Sequence, residues 1–452
     1  MKRFYLVLFV LALGIAFSLP ATAVDVKFNG SFYAAGLYQD KTSVTKNTGS
    51  DGGSTAFYYQ RLRIQTDLIV SPGLKLITRF DALERGWGGN RSTPGITAMA
   101  DSAGTRSENE NIAIDHAYIS YMSPIGEFRV GYRDIGIWGT YFGDSGKPTG
   151  QIYWGKYFTP VSTYVWGMVA KVNDNSNSAI NTSNYSDRDN DQYMLSAHYY
   201  GIKNTEIGLL YDYLRYASGR NGVVIAPSID YGYVTAAHIV QSFVKTKFSR
   251  IYFEGEVAYA WGDYVKFDGA HPGVSDMTLS NLQAYIKAIA DFGPVYVGGI
   301  AAYVAGDDPG TTDKCEGGFF SGGREFNPAL ILFNTERSDW GGAISGYNTS
   351  AINGQMTNTW FFQLITGVKP VDKLDIRATV SYANADKKPT AAWLYNNYGT
   401  EVDLTATYKI TNNLSYMLGG GYLFTGNYFK GTSDVNELKD NFLILNKLTL
   451  TF

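Results

Sequence analysis

The chain has 452 residues with 38 basic and 41 acidic side chains, a formal charge of −3, and nothing in that balance points to a nucleic-acid partner. Fifty glycines, 35 tyrosines, 25 phenylalanines and only 13 prolines suit many strands, tight turns and aromatic surfaces. A single cysteine, Cys315, excludes an internal disulfide, a cysteine-based zinc cluster and covalent haem; with no second cysteine to resolve it, it reads as a free thiol in a loop.

The chain opens with Met1, Lys2 and Arg3, a short basic start, and continues as an apolar run from Phe4 to Leu19 that ends at Pro20-Ala21-Thr22-Ala23. A basic start, an apolar run and an Ala-x-Ala site predict a secretory signal over residues 1–23. The run falls short of the roughly 20 apolar residues a membrane anchor needs, and Val24 in place of a cysteine argues against a lipid-anchored protein. Losing Lys2 and Arg3 leaves 36 basic against 41 acidic residues, a formal charge of −5. The remaining chain, 24–452, has no apolar stretch long enough for a helical span and no linker, so it is expected to form one domain.

Its dominant pattern has a period of two. From Phe57 to Val70, Leu62, Ile64, Leu68 and Val70 share one face while Tyr59, Arg61, Arg63, Gln65 and Asp67 share the other. After the turn Ser71-Pro72-Gly73, Leu74, Leu76 and Phe80 alternate with Lys75, Arg79 and Asp81. Farther on, Phe128, Val130 and Tyr132 oppose Arg129 and Arg133, and Val402, Leu404, Ala406, Tyr408 and Ile410 oppose Glu401, Asp403, Thr405, Thr407 and Lys409. Strands are predicted to start near Val26, Phe57, Leu74, Ile112, Glu127, Thr149, Ser162, Asp191, Thr205, Asp230, Arg250, Asn281, Pro294, Asn358, Leu374, Gly399, Leu414 and Asn441. That makes about 18, with about 16 as the alternative, separated by turns that are alternately short and long.

Two folds could carry this pattern, a soluble sandwich with a very large core or a membrane barrel with a wet lumen. A strand of about ten residues rises roughly 33 Å and, tilted by about 40°, covers the roughly 25 Å apolar band of such a barrel. The last segment, Phe442 to Phe452, alternates and ends on Phe452, and it resembles the assembly signal of bacterial outer-membrane barrels. The expected fold is therefore all-β: a transmembrane antiparallel β-barrel with short periplasmic turns and long extracellular loops. Tyr58, Tyr121, Tyr132, Tyr259, Trp261, Trp360, Tyr408 and Tyr422 are expected in its interfacial aromatic girdles.

An arginine on the lipid face at mid-membrane costs roughly 2–4 kcal/mol, so Arg61, Arg63, Arg79, Arg129 and Arg133 should line one wall of the lumen. They either form a basic ladder that sets a transverse field across a constriction or pair with neighbours such as Asp67 and Asp81. Glu254, Glu256, Asp291, Glu401 and Asp403 place negative charge on other walls. Between the fifth and sixth strands, Asp134 to Pro148 is rich in glycine and aromatics, with Asp144 as its clearest acid. Here the sequence resembles bacterial porins, whose third extracellular loop folds into the barrel at this point.

That resemblance implies a water-filled channel for passive diffusion of ions and small hydrophilic solutes, with Asp144 facing the arginine wall. It also implies a homotrimer in the outer membrane, in contact with outer-membrane lipids and inserted by the barrel-assembly machinery, without catalysis or cofactor. The run Phe326 to Phe333 within the longest loop, 306–357, resembles porins of sulfate- and metal-reducing proteobacteria. Exposed, it would be a liability, so it should tuck into the barrel mouth, pack on a neighbouring subunit, or extend as a hairpin.

The rival readings are a substrate-specific channel, a sheath around an electron-transfer partner and, last, an outer-membrane enzyme. Gly143-Asp144-Ser145-Gly146 matches part of a serine-hydrolase motif, but no triad order surrounds it. The histidines, His116, His198, His238 and His271, sit in no metal or nucleophile motif and read as structural. In the loop Asn173 to Asp191, the spacing Asp187-Arg188-Asp189-Asn190-Asp191 is a hint of Ca²⁺ binding beside the plainer reading of a solvated polar loop.

Overall fold

Alternation fixes the architecture, because a strand with one apolar and one polar face has to present the first to lipid and the second to water. The computed structural model describes residues 24–46, 52–88, 112–176, 187–220, 232–269 and 273–452; the expected signal segment and His271 lie outside them. The strands run β1 (Asp25–Gln39), β2 (Thr55–Ser71), β3 (Leu74–Gly86), β4 (Ile112–Ser123), β5 (Gly126–Ile135), β6 (Lys147–Phe158), β7 (Thr163–Asn173), β8 (Asn190–Tyr199), β9 (Thr205–Tyr216) and β10 (Tyr233–Phe248). They continue with β11 (Ile251–Phe267), β12 (Met277–Asp291), β13 (Val295–Val304), the two-residue β14 (Lys314–Cys315), β15 (Thr359–Val371), β16 (Leu374–Ala385), β17 (Asn397–Lys409), β18 (Leu414–Thr425) and β19 (Asn441–Thr451).

Each long strand pairs antiparallel with its neighbours in sequence, and β13 pairs directly with β15. β1 closes the sheet onto β19, from Ser31 opposite Thr451 to Gln39 opposite Leu443. The result is a closed barrel of 18 strands, with β14 outside it as a short parallel pairing of the β13–β15 loop with β12. The strand count and order expected from the sequence hold, and the largest displacement of a start, from Asn281 to Met277, is four residues. At the seam, Phe452 donates its backbone N–H to the Gly30 carbonyl (3.1 Å) and accepts that residue's N–H (2.8 Å).

The outward positions are apolar and bare. Ile114 is 71% exposed, and Leu209, Leu364 and Leu404 are similarly open, an area no soluble monomer leaves uncovered but which suits a lipid-facing band. All eight aromatic residues expected in the girdles are exposed. One departure from strict alternation shapes the lumen. Arg79 pairs with His116 and Phe80 with Ile114, so Asp115 is an extra, bulged residue in β4, and the bulge turns Asp115 and His116 both inward, where both are buried.

Candidate lumen constriction

Two loops fold into the barrel. The first, 136–146, joins β5 to β6 and crosses toward the wall made by β8 to β12. Its path needs backbone that only glycine adopts cheaply: Gly139 and Gly143 have φ of 77° and 84°. Trp138 donates its indole N–H to Ser196 Oγ (3.0 Å) and to His198 Nε2 (3.1 Å) on β8. The Thr140 N–H reaches Glu256 on β11 (2.6 Å), and Lys245 on β10 donates to the Gly139 carbonyl. Fully buried Phe142 stacks on Tyr285 of β12, with ring centroids 5.1 Å apart.

Asp144 turns into its own loop, accepting the Trp138 backbone N–H at 2.9 Å. No arginine is among its described partners, so the expectation that it faces the arginine wall does not hold. Its position is set by closing the loop on itself, with Ser145 N–H bonded to the Gly136 carbonyl (2.8 Å). Burial, reinforced by nearby Glu325, pushes its carboxyl up to about 7.

The second loop, 305–358, carries the apolar run, and of the three placements open to it the structure takes the tuck into the lumen. Ile331, Leu332 and Phe333 are buried. The Ile331 and Leu332 N–H groups each donate to Glu401 on β17 at 2.7 Å, and the Leu330 N–H reaches Asp403 (3.4 Å). Gln363 of β15 donates to the Pro328 carbonyl (2.7 Å). A short helix, α1 (Thr335–Gly341), follows, capped by Asn334, whose side chain accepts the Arg337 N–H (2.8 Å). The two loops also touch each other: the Glu325 N–H meets the Asp144 carbonyl (3.1 Å), and Phe142 meets Phe326 edge-on.

The arginines lie inside the barrel, and four of the five are paired with acids. Arg63 holds Asp81 through two bonds of 2.7 Å, and Asp115 at 3.4 Å. Arg79 contacts Asp115 (3.2 Å) and Asp134 (2.8 Å), Arg61 contacts Glu84 (3.7 Å), and Arg129 forks onto Glu127. Arg133 makes no salt bridge to a described residue; its guanidinium lies over the rings of Tyr118 and Tyr153. Asp291, expected on a wall, is exposed at a strand end and accepts the Gly293 N–H of the following turn.

What is left open is divided. A cavity of about 620 Å³ runs along Arg61, Arg63, Arg79 and Asp115, and another of about 380 Å³ lies toward Arg377 and Asp403. Both are lined by Tyr141, Glu325, Asn327, Glu336 and Lys447, so these residues stand between the two. Tyr141 is 69% exposed at the tip of the first loop, and Lys447 pairs with Glu336 (2.7 Å). A third cavity of about 400 Å³ separates the first loop from the wall of β6 to β10.

The remaining chemistry-bearing residues are tied down. His116 contacts Asp134 (2.9 Å), His198 contacts Glu206 (3.0 Å), and His238 stacks on Trp261. In the loop where Ca²⁺ spacing was noted, Lys171 pairs with Asp189 (3.0 Å) and Asp191 (2.6 Å), and Arg215 with Asp187 (2.7 Å); residues 177–186 of that loop lie outside the described residues. Cys315 is buried in β14, donates to the Gly317 carbonyl, and burial pushes its thiol up to about 11, which leaves little thiolate.

No family model matches the chain, and no curated protein matches it. Among solved structures, it is similar to OccK9 (OpdG) of Pseudomonas aeruginosa, with a TM-score of 0.52 at 12% identity over 95% of this chain and 99% of that one. A BenF-like porin from Pseudomonas fluorescens Pf-5 gives 0.49 at 11% identity over 94% and 99%, and the outer membrane channel DcaP of Acinetobacter baumannii gives 0.44 at 10% over 95% and 97%. At these identities the likeness is one of fold.

Proposed function

We propose that the chain is a passive channel of the bacterial outer membrane, narrowed by its two infolded loops, that admits ions and small hydrophilic solutes. The observation that carries this reading is the polar cavity along the arginine wall, which shares Tyr141, Glu325 and Lys447 with its neighbour inside a barrel with an apolar exterior. Its carboxylates are engaged by guanidinium groups and loop N–H groups, an arrangement that supports a fixed polar path rather than a reaction. The long-loop end is the extracellular one in this reading, and Phe452 is the assembly signal. Trimerisation comes with the likeness to porins and is checked by native mass spectrometry in detergent.

Liposome swelling tests the proposal. Vesicles carrying the folded chain should swell in a pentose and stay unchanged in a tetrasaccharide, and Tyr141→Ser should raise the pentose rate about two- to threefold by widening the way between the two cavities. No swelling in any solute from a correctly folded barrel rejects it. A second reading, selection of particular solutes, is favoured by the narrowness of the spaces the loops leave; it predicts saturable pentose entry or strong preference between solutes of equal size.

A further inference from the structure

The third cavity, behind the first loop, has features that a path for solvent alone does not need. Its volume of about 400 Å³ lies in the range of small-ligand sites, and its walls set aromatic rings and thioethers beside polar and charged side chains. The Tyr153 and Phe243 rings and the Met168 thioether are buried on the barrel side, with Trp166 beside them, and Trp138 of the loop faces them.

Into this space comes Asp212 of β9, only 4% exposed. One carboxylate oxygen accepts from Gln192 (2.5 Å) and the other, Oδ1, has no partner. The other acids around the cavity are satisfied: Asp134 by Arg79, Glu206 by His198 and Tyr200, Asp144 by the Trp138 N–H. Asp212 makes no salt bridge to any described residue. Gln151 of β6, 5% exposed, spends its amide N–H groups on the Arg133 and Asp134 carbonyls and leaves Oε1 unpartnered. The unmet groups of both side chains are acceptors, so the missing partner carries donors. Asp212 has no cationic partner among the described residues; the Arg133 guanidinium also lines the cavity but is held over the Tyr153 ring, and Trp166, Phe243 and Met168 in the same lining offer surfaces on which a cation with a carbon body rests favourably.

We infer that the cavity between the 136–146 loop and β6–β10 is a binding subsite for small organic ammonium ions. The ammonium group occupies Asp212 Oδ1, the carbon body lies against Trp166 and Phe243, and a second donor, where the ligand has one, reaches Gln151 Oε1. The subsite rests on the reading of the lumen as open to solutes, but binding to it is measured without any current.

The test uses the folded barrel of residues 24–452 in detergent, titrated with phenethylamine and followed by tryptophan fluorescence and calorimetry. Phenylacetate and 2-phenylethanol, of the same shape with negative and no charge, serve as the comparison probes. Saturable phenethylamine binding, at least about tenfold weaker for either comparison probe and for Asp212→Asn, is expected. The Asn variant can keep the bond to Gln192 through its amide oxygen while it replaces the open carboxylate oxygen with an uncharged N–H donor. No saturable binding, equal binding of the neutral alcohol, or unchanged affinity in Asp212→Asn overturns the inference; if the variant fails to fold, the comparison among the three probes decides alone. Conductance of the unsubstituted barrel, recorded from the same preparation, shows whether a failure belongs to the subsite or to the channel.

Discussion

Two sides of the same lumen use inward carboxylates in opposite ways. On the side of β2 to β5, Asp81, Glu84, Asp115 and Glu127 are met by arginine side chains from the barrel wall, and the space in front of them stays open. On the side of β15 to β18, Glu401 and Asp403 are met by backbone N–H groups of the long loop, and the buried run Ile331 to Phe333 leaves only the smaller cavity beside Asp403. A wall whose acids and bases satisfy one another has nothing left to bind a loop. Acids that no salt bridge meets recruit a loop, because each buried carboxylate needs donors.

That contrast can be broken most severely at the junction of the loops. Phe142→Ala removes a fully buried ring from between Tyr285 and Phe326 and should cost about 3–5 kcal/mol of loop docking, read as a large rise in single-channel conductance with new protease cleavage in 136–146. Next comes the anchor of the long loop. Glu401→Ala strands two buried N–H groups that now donate to a carboxylate, a loss of roughly 2–3 kcal/mol, and cleavage within 305–358 should appear while the barrel itself still resists heat and detergent.

A milder change sharpens the other side. Asp81→Asn leaves Arg63 with Asp115, at 3.4 Å, as its remaining acid among the described pairs; the stability loss is about 1 kcal/mol because the guanidinium is partly solvated, but the reversal potential in a salt gradient should move toward anion preference. The smallest effect expected is one of pH. Burial raises the Asp144 carboxyl to about 7, so the docked loop favours the neutral acid; its docking is strongest below the ordinary carboxylate range and weakens as pH rises through about 7. Conductance should therefore increase between about pH 5 and pH 8, and Asp144→Asn should flatten the rise.

The strands were legible because lipid on one side and water on the other impose a period of two over a fixed length, so even the glycine-rich segment that became β6 follows the beat. The arginines were placed in the lumen by the same argument. Pairing with Asp81 was one of the two readings open to them, and Arg63 takes it; the rest of their neutralisation was not legible, because Asp115 reaches Arg63 and Arg79 through a bulge that inverts local alternation, and Asp134 sits where strand passes into loop. Nor could alternation reveal what meets Glu256 and Glu401, since their donors are backbone N–H groups 116 and about 70 positions away. The apolar run signalled that it needed cover, and the inward acids Glu401 and Asp403 signalled that they needed donors, but only the folded chain joins the two. Asp144 was oriented by likeness to porins, and the short loop here instead uses it to close its own turn.

The central claim is a loop-narrowed passive channel whose arginine wall is internally neutralised, and recording refolded residues 24–452 in a planar bilayer under a salt gradient tests it most directly. Discrete, steady, ohmic steps with a reversal potential near zero are predicted. Silence from a folded barrel, or steps with strong anion selectivity as a free arginine ladder would give, contradicts the account.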